Sequence, residues 1–110
     1  MKKYAVVFAP SAEEQLDQLY LYIESEAGGS RAESYIDRIV GRCRSLQTFP
    51  LRGTKRDDIR PNLRTMGYAR RVTIAFSVDE TRHIVEILGI FYGGQDVDVL
   101  LGGAQADTDE

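Results

Sequence analysis

The chain has 110 residues, of which 43% are hydrophobic and 28% charged, with one cysteine and one histidine. This length fits one domain with a single core, and one cysteine excludes a disulfide framework or a thiolate metal cluster. No apolar run reaches the length of a bilayer, and the N-terminus lacks the pattern of a secretory signal. We therefore expect a cytoplasmic protein without a metal or cofactor.

The formal net charge of −3 is unevenly distributed along the chain. The segment 52–71 carries seven basic and two acidic residues, which gives it a charge of +5, whereas the rest of the chain sums to −8. Local basic charge on an acidic protein favours an anionic partner only moderately, and dispersed surface charge is the simpler interpretation. The basic residues are Arg52, Lys55, Arg56, Arg60, Arg64, Arg70 and Arg71.

The chain begins with a predicted strand and a predicted amphipathic helix. Residues 4–9 are mostly apolar, and Pro10 ends the strand. Ser11 and Glu14 have the spacing of a capping box, so we expect the helix to begin there. Apolar residues at helical spacing form one stripe as far as Ala27. They are Ala12, Leu16, Leu19, Tyr20, Ile23 and Ala27.

A second helix follows the first almost without a connection. The pair Gly28–Gly29 is a typical helix stop, and Ser30 and Glu33 repeat the capping-box spacing. The apolar stripe of this helix includes Cys43, which is therefore expected to be a core residue rather than a nucleophile. Pro50 disfavours helix at the residue before it. The two helices are predicted to form an αα-hairpin.

The remaining chain predicts an exposed loop and then a three-stranded antiparallel meander. Residues 51–62 show no periodicity and are expected to form the loop, and the strands are expected over 63–68, 72–78 and 84–91. Residues 95–101 suit a short helix or an extended arm, and the acidic residues 102–110 are expected to be disordered. The predicted fold is α+β, with one domain over residues 1–101 that combines an N-terminal strand, the αα-hairpin and the meander in one sheet.

The last predicted strand is apolar on both faces, which bears on function. Because the helix pair covers only one face of a sheet, the other face is either shielded by loops and the C-terminal segment or left for a partner. Strict alternation assigns Ile84, Leu88 and Ile90 to one face and Val85, Ile87 and Phe91 to the other.

Three arginines flank the turn between the first two meander strands. Arg64, Arg70 and Arg71 are expected to cluster at one end of the sheet, where they would stabilise a phosphoryl transition state or bind a carboxylate-rich partner. Cleavage of RNA also needs a proton acceptor and a proton donor, and arginine and Tyr92 transfer protons poorly at neutral pH. The residues therefore give weak support to catalysis.

The order of elements and several local motifs resemble the RelE/ParE toxin superfamily over residues 3–101. The motifs are FAPSAEEQLDQLYLYI in helix 1, LQTFPLRG at the exit of helix 2, IRPNLRTMGYARRVTIAFSV, and HIVEILGIFYGGQDVDVLL at the end. The long helix pair, the YIDRI segment and the closing motif are more similar to the ParE branch. Two features depart from the superfamily: Tyr92 stands where the ribonucleases carry histidine, and Gly89 and Tyr92 stand where many ParE-like chains carry His or Arg.

The resemblance implies the toxin of a type II toxin–antitoxin module. Its partner would be a ParD-like antitoxin with a DNA-binding N-terminus, so that the toxin meets DNA only indirectly, and its target would be DNA gyrase. The alternatives are a ribosome-dependent mRNA endonuclease that uses Arg64, Arg70, Arg71 and Tyr92, and a non-toxic module that only binds its partner.

The resemblance and the apolar stripes together give two sets of candidate contact residues. The candidate partner-binding residues are Leu16, Leu19, Tyr20, Ile23, Arg60, Arg64, Arg71, Ile90 and Tyr92. The candidate target-binding residues, in the closing segment, are Gln95, Asp96, Val97 and Leu100.

Overall fold

A computed structural model describes residues 3–93. Two helices, α1 (Pro10–Ala27) and α2 (Gly29–Arg44), follow the first strand, and a single 3-10 turn, Ser45–Gln47, follows α2. The strands are β1 (Ala5–Phe8), β2 (Thr54–Lys55), β3 (Leu63–Tyr68), β4 (Val72–Asp79) and β5 (Ile84–Tyr92).

The five strands form one sheet in the order β1-β5-β4-β3-β2. The N-terminal strand pairs parallel to β5, and the other neighbours are antiparallel. The predicted α+β fold with an αα-hairpin and a meander is therefore confirmed. The loop prediction for residues 51–62 is partly wrong, because β2 adds an edge strand there and Ile59 is buried against the sheet.

Both predicted capping boxes are wrong. The first helix begins at Pro10, a residue suited to the first helical position, and the Ser11 hydroxyl donates instead to the carbonyl oxygen of Leu88, at 2.9 Å. The second helix begins at Gly29 because Gly28 has a φ of +95°, which turns the chain directly from one helix into the next. Ser30 and Glu33 therefore lie inside α2 and do not cap it.

The predicted assignment of faces along β5 is wrong for Ile90 and Phe91, because the strand contains a β-bulge before them. Phe76 pairs with Ile87 but Ala75 pairs with Gly89, so Leu88 is an extra residue. A bulge shifts the alternation of side chains by one position. As a result Ile90 shares the helix-facing side of the sheet with Ile87.

The helices cover one face of the sheet and create the larger core. Apolar side chains of α1, α2 and the 3-10 turn pack there against β3, β4 and β5. Burying one such side chain contributes about 1.5–3 kcal/mol. The fully buried members with the largest side chains are Phe76, Ile39, Leu46, Ile74 and Ile87.

A smaller cluster partly covers the opposite face of the sheet. Ile59 from the loop packs with Leu63, Ala75 and Phe91. Of the two alternatives for this face, shielding by a loop therefore applies near β3 and β4. At the β1 edge of the sheet Val7 remains 45% exposed.

Candidate partner-binding groove

Where β1 ends, the first turns of α1 continue the hydrogen bonding along the edge of β5. The last bond of the parallel ladder runs from the Ala9 amide to the Ile87 oxygen, at 2.9 Å. The Ser11 hydroxyl then donates to the Leu88 oxygen, and the Gln15 side-chain oxygen accepts from the Ile90 amide, at 2.8 Å. Because positions four apart share one face of a helix, this face of α1 lies along the strand edge.

A groove opens where these bonds end, and we call it the α1–β5 groove. Its volume is about 290 Å³. Tyr22 at its rim is 51% exposed, a large fraction for an aromatic side chain. Grooves of this kind, with apolar walls and a few polar groups, suit an amphipathic peptide. The lining residues are Gln15, Gln18, Leu19, Tyr22, Ile90 and Tyr92.

Four tyrosines lie in series at the end of the groove. The ring centroid of Tyr92 lies 5.7 Å from the ring centroid of Tyr22 and 6.4 Å from that of Tyr35. Tyr35 in turn contacts Tyr68 edge-on, with 6.2 Å between the ring centroids. Tyrosine combines a large apolar surface with a hydrogen-bonding hydroxyl, which is why it is enriched where proteins bind one another.

Burial and electrostatics favour the neutral form of Tyr35. Burial raises the pKa of Tyr35, the neighbouring Tyr92 and Tyr68 raise it further, and Arg71 lowers it. Tyr35 therefore presents a hydroxyl group rather than a phenolate at physiological pH. A neutral phenol is a weak general base, so the geometry favours contact over proton abstraction.

The turn between β3 and β4 brings Arg71 to the same end of the sheet. Ala69 and Arg70 both have positive φ angles, +52° and +67°, which produces a tight reversal. The Arg71 oxygen accepts a bond of 2.8 Å from the Gly93 amide, directly after Tyr92. Three of the proposed catalytic residues, Arg70, Arg71 and Tyr92, are thus near one another.

The fourth residue, Arg64, lies at the opposite end of β3. Its guanidinium donates to the carbonyl oxygens of Leu51 and Arg52, at 3.2 and 3.3 Å, and thereby holds the loop that follows α2. Arg60 lies in the turn that precedes β3, at that same end. The expected clustering of Arg64 with Arg70 and Arg71 is therefore not what the fold produces.

The candidate partner-binding residues lie partly in the groove and partly in the core. Leu19, Ile90 and Tyr92 line the groove, and Leu19 and Ile90 also belong to the larger core. Leu16 belongs to the larger core, and Ile23 packs against that core. The remaining members are Tyr20, which is half-buried, and the arginines described above.

Three lining residues, Gln15, Gln18 and Tyr22, were absent from the sequence prediction. They continue from Ser11 at intervals of four, three and four residues, which is a second helical stripe beside the apolar one. This spacing was the available signal. The candidate target-binding residues Gln95, Asp96, Val97 and Leu100 lie outside the described residues.

Between residues 3 and 93, no group of three or more His, Cys, Asp or Glu side chains is placed to hold a metal ion. Neither helix in that range is long and apolar enough to cross a bilayer.

Comparison with known families identifies the chain. The model of the family described as "ParE toxin of type II toxin-antitoxin system, parDE" matches residues 6–97. The chain belongs to the ParE toxin family. No curated protein sequence matches it.

Solved structures with this fold come from both branches of the superfamily. A chain of the chromosomal ParDE system from P. aeruginosa is 23% identical, with a TM-score of 0.71, 83% of this chain covered and 97% of that one. A chain of the RelBE2 toxin–antitoxin complex from Mycobacterium tuberculosis is 19% identical, with a TM-score of 0.61 and coverages of 86% and 97%. A mutant of E. coli RelE in the free state is 11% identical, also at 0.61, with coverages of 94% and 97%. At these low sequence identities, the similarity to the solved structures shows that the chain shares their fold.

Proposed function

We propose that this ParE-family toxin is neutralised by a segment of its antitoxin that binds in the α1–β5 groove. The observation that carries the proposal is the exposed Tyr22, which lies with Leu19, Ile90 and Tyr92 in an apolar groove beside a strand edge. The ParDE and RelBE neighbours support an antitoxin as the partner. An amphipathic helix would place its apolar side chains between α1 and β5.

Hydrogen exchange tests the location of this contact. Amide exchange is measured on the toxin alone and with its cognate antitoxin, and we expect slower exchange in residues 15–22 and 88–92. The turn 79–83, at the end of β5 farthest from the groove, is the internal control. Protection of this turn equal to that of the groove segments, or protection of the turn alone, would contradict binding in the groove.

The proposed target is DNA gyrase, which the toxin would inhibit by binding rather than by catalysis. Support comes from membership of the ParE family and from the separation of Arg64 from Arg71 and Tyr92. Such a target requires a cytoplasmic location. In a supercoiling assay we expect the purified toxin to block gyrase and the antitoxin to restore it. No effect at micromolar excess of toxin would contradict the gyrase proposal.

The second candidate is a ribosome-dependent mRNA endonuclease. The specific observation in its favour is that the β3–β4 turn places Arg71 beside the end of β5, where the Gly93 amide donates to its carbonyl oxygen, and that Tyr92 at this end contacts Tyr35. This activity would cut mRNA at codon positions on translating ribosomes, and Arg71→Ala would abolish the cuts. Cuts that persist in Arg71→Ala, or no cuts by the wild type, would eliminate the candidate.

A further inference from the structure

The outer edge of β3 is only half covered. The short strand β2 pairs Thr54 with Thr65 and Lys55 with Arg64, and it ends there. Gly53 turns the chain away from the sheet with a φ of +78°, and any Cβ at this position would collide with the carbonyl oxygen of Thr65. Among the described residues, no strand therefore pairs with the outer side of β3 beyond Thr65.

Gly67 directs its backbone groups off this open edge. The Leu63 oxygen accepts from the Arg56 amide, and the Leu63 amide donates to the Arg60 oxygen, so the peptide groups of Leu63 point away from β4. In an antiparallel ladder this orientation repeats at every second residue, which includes Gly67. Gly67 is exposed, and it therefore offers one amide donor and one carbonyl acceptor at the edge.

Two arginines lie beside this edge. Arg42, from the last turn of α2, and Arg52 line a cavity of about 380 Å³ together with Thr65, Gly67 and Thr73. Arg52 donates to the Ser45 hydroxyl at 2.9 Å, which fixes its direction. No carboxylate is among the lining residues within the described range. The cavity is therefore polar and positively charged.

We propose that this edge, Met66–Tyr68, is a docking site for an extended protein segment that carries Asp or Glu side chains. The segment would pair with Gly67 as an added strand, and its carboxylates would bind Arg42 and Arg52. A nucleic acid suits the site less well, because phosphate oxygens only accept hydrogen bonds and leave the Gly67 carbonyl without a donor. This surface is separate from the α1–β5 groove, so the proposal is independent of the proposed function.

Gly67 permits a sharp test, because one substitution removes the edge amide and another retains it. Gly67→Pro removes the outward donor, and proline is tolerated at such edge positions. Gly67→Ala retains the donor, and its Cβ would lie 3.8 Å from the Val72 oxygen, an ordinary contact. The full-length toxin is used to select binders from a display library of random nonapeptides. Each recovered peptide is then measured against both variants, against Arg42→Glu and against Tyr22→Ala as the groove control.

The proposal predicts a class of peptides enriched in Asp and Glu. These peptides should bind Gly67→Pro and Arg42→Glu about tenfold more weakly than the wild type, while Gly67→Ala and Tyr22→Ala bind normally. In the wild type, exchange of the Gly67 amide should slow when such a peptide binds, a readout that does not depend on folding of the proline variant. Absence of this class, a class without acidic enrichment, or unchanged Gly67 exchange would overturn the proposal. A single-stranded RNA dodecamer that binds wild type and Gly67→Pro alike would assign the site to nucleic acid instead.

Discussion

At the scale of single residues, Gly89 is where a missing side chain matters most. A Cβ at this position would lie 2.5 Å from the Cζ of Phe91 and 3.3 Å from the Gln15 side-chain oxygen. Phe91 is 3% exposed, so its ring has little room to move. The glycine therefore lets the ring pack against β5 within the smaller cluster.

We predict that Gly89→Ala lowers the free energy of unfolding by about 1–3 kcal/mol, as overpacking of a filled core does. The matched control is Gly41→Ala, because a Cβ at Gly41 would meet nothing within 4 Å and the residue lies inside α2. That substitution should stabilise the protein by about 0.8–1 kcal/mol. Urea denaturation measures both, and equal effects of the same sign would contradict the packing at Gly89.

Cys43 gives a prediction about pH. The side chain is fully buried, and burial raises the pKa of its thiol from 9.0 to about 12. Between these values the unfolded chain loses the thiol proton and the folded chain retains it, so folding stability falls as pH rises. The slope is about 1.4 kcal/mol per pH unit, and below pH 9 the contribution is constant.

The measurement compares the wild type with Cys43→Ala between pH 8 and 10.5. Alanine leaves a small cavity and lowers stability at every pH, but the difference between the two proteins should shrink as pH rises. Other groups titrate equally in both proteins and cancel. A constant difference across this range would mean that the thiolate is tolerated in the folded state.

At the scale of elements, hydrogen bonds between α1 and the edge of β5 hold the two walls of the groove together. Gln15 supplies the acceptor for the Ile90 amide at a position where β1 has already ended. We predict that Gln15→Leu costs about 1–3 kcal/mol, because it leaves the partly buried amide of Ile90 without its partner. Gln18→Leu, at the next lining glutamine, is exposed and should change stability by less than about 0.5 kcal/mol. Thermal unfolding with equal shifts for the two variants would contradict this role of Gln15.

The sequence predicted these elements well but not how they join. Periodicity located both helices, since their apolar stripes are long and regular. The bulge at Leu88 was missed because β5 is apolar at almost every position, so the phase of its alternation is not readable. The first capping box failed because the hydroxyl of Ser11 bonds across to Leu88, a contact distant in sequence, and the second failed because α2 already begins at Gly29.

The residues that line the groove were predicted only in part. Leu19 and Ile90 were predicted because they are apolar, although Ile90 was assigned to its face by an alternation that the bulge breaks. Gln15 and Gln18 are polar and carry no such signal. Tyr22 lies off the core stripe, and its role depends on where β5 places Tyr92.

At the scale of the whole molecule, charge separates two surfaces. Helix α1 carries five acidic and no basic residues, whereas the open edge of β3 lies beside Arg42 and Arg52. The α1–β5 groove is mainly apolar, so we expect antitoxin binding there to depend on packing and only weakly on ionic strength.

The central claim is that the α1–β5 groove binds the antitoxin, and two neighbouring residues test it directly. Tyr22 and Leu21 are both exposed apolar side chains on α1, at 51% and 61%, but of these two only Tyr22 lines the groove. In calorimetric titrations with the antitoxin, Tyr22→Ala should weaken binding by about 2 kcal/mol or more, roughly thirtyfold, as loss of a buried tyrosine anchor does. Leu21→Ala should bind like the wild type. Equal affinities for the two variants, or a larger loss for Leu21→Ala, would contradict the account.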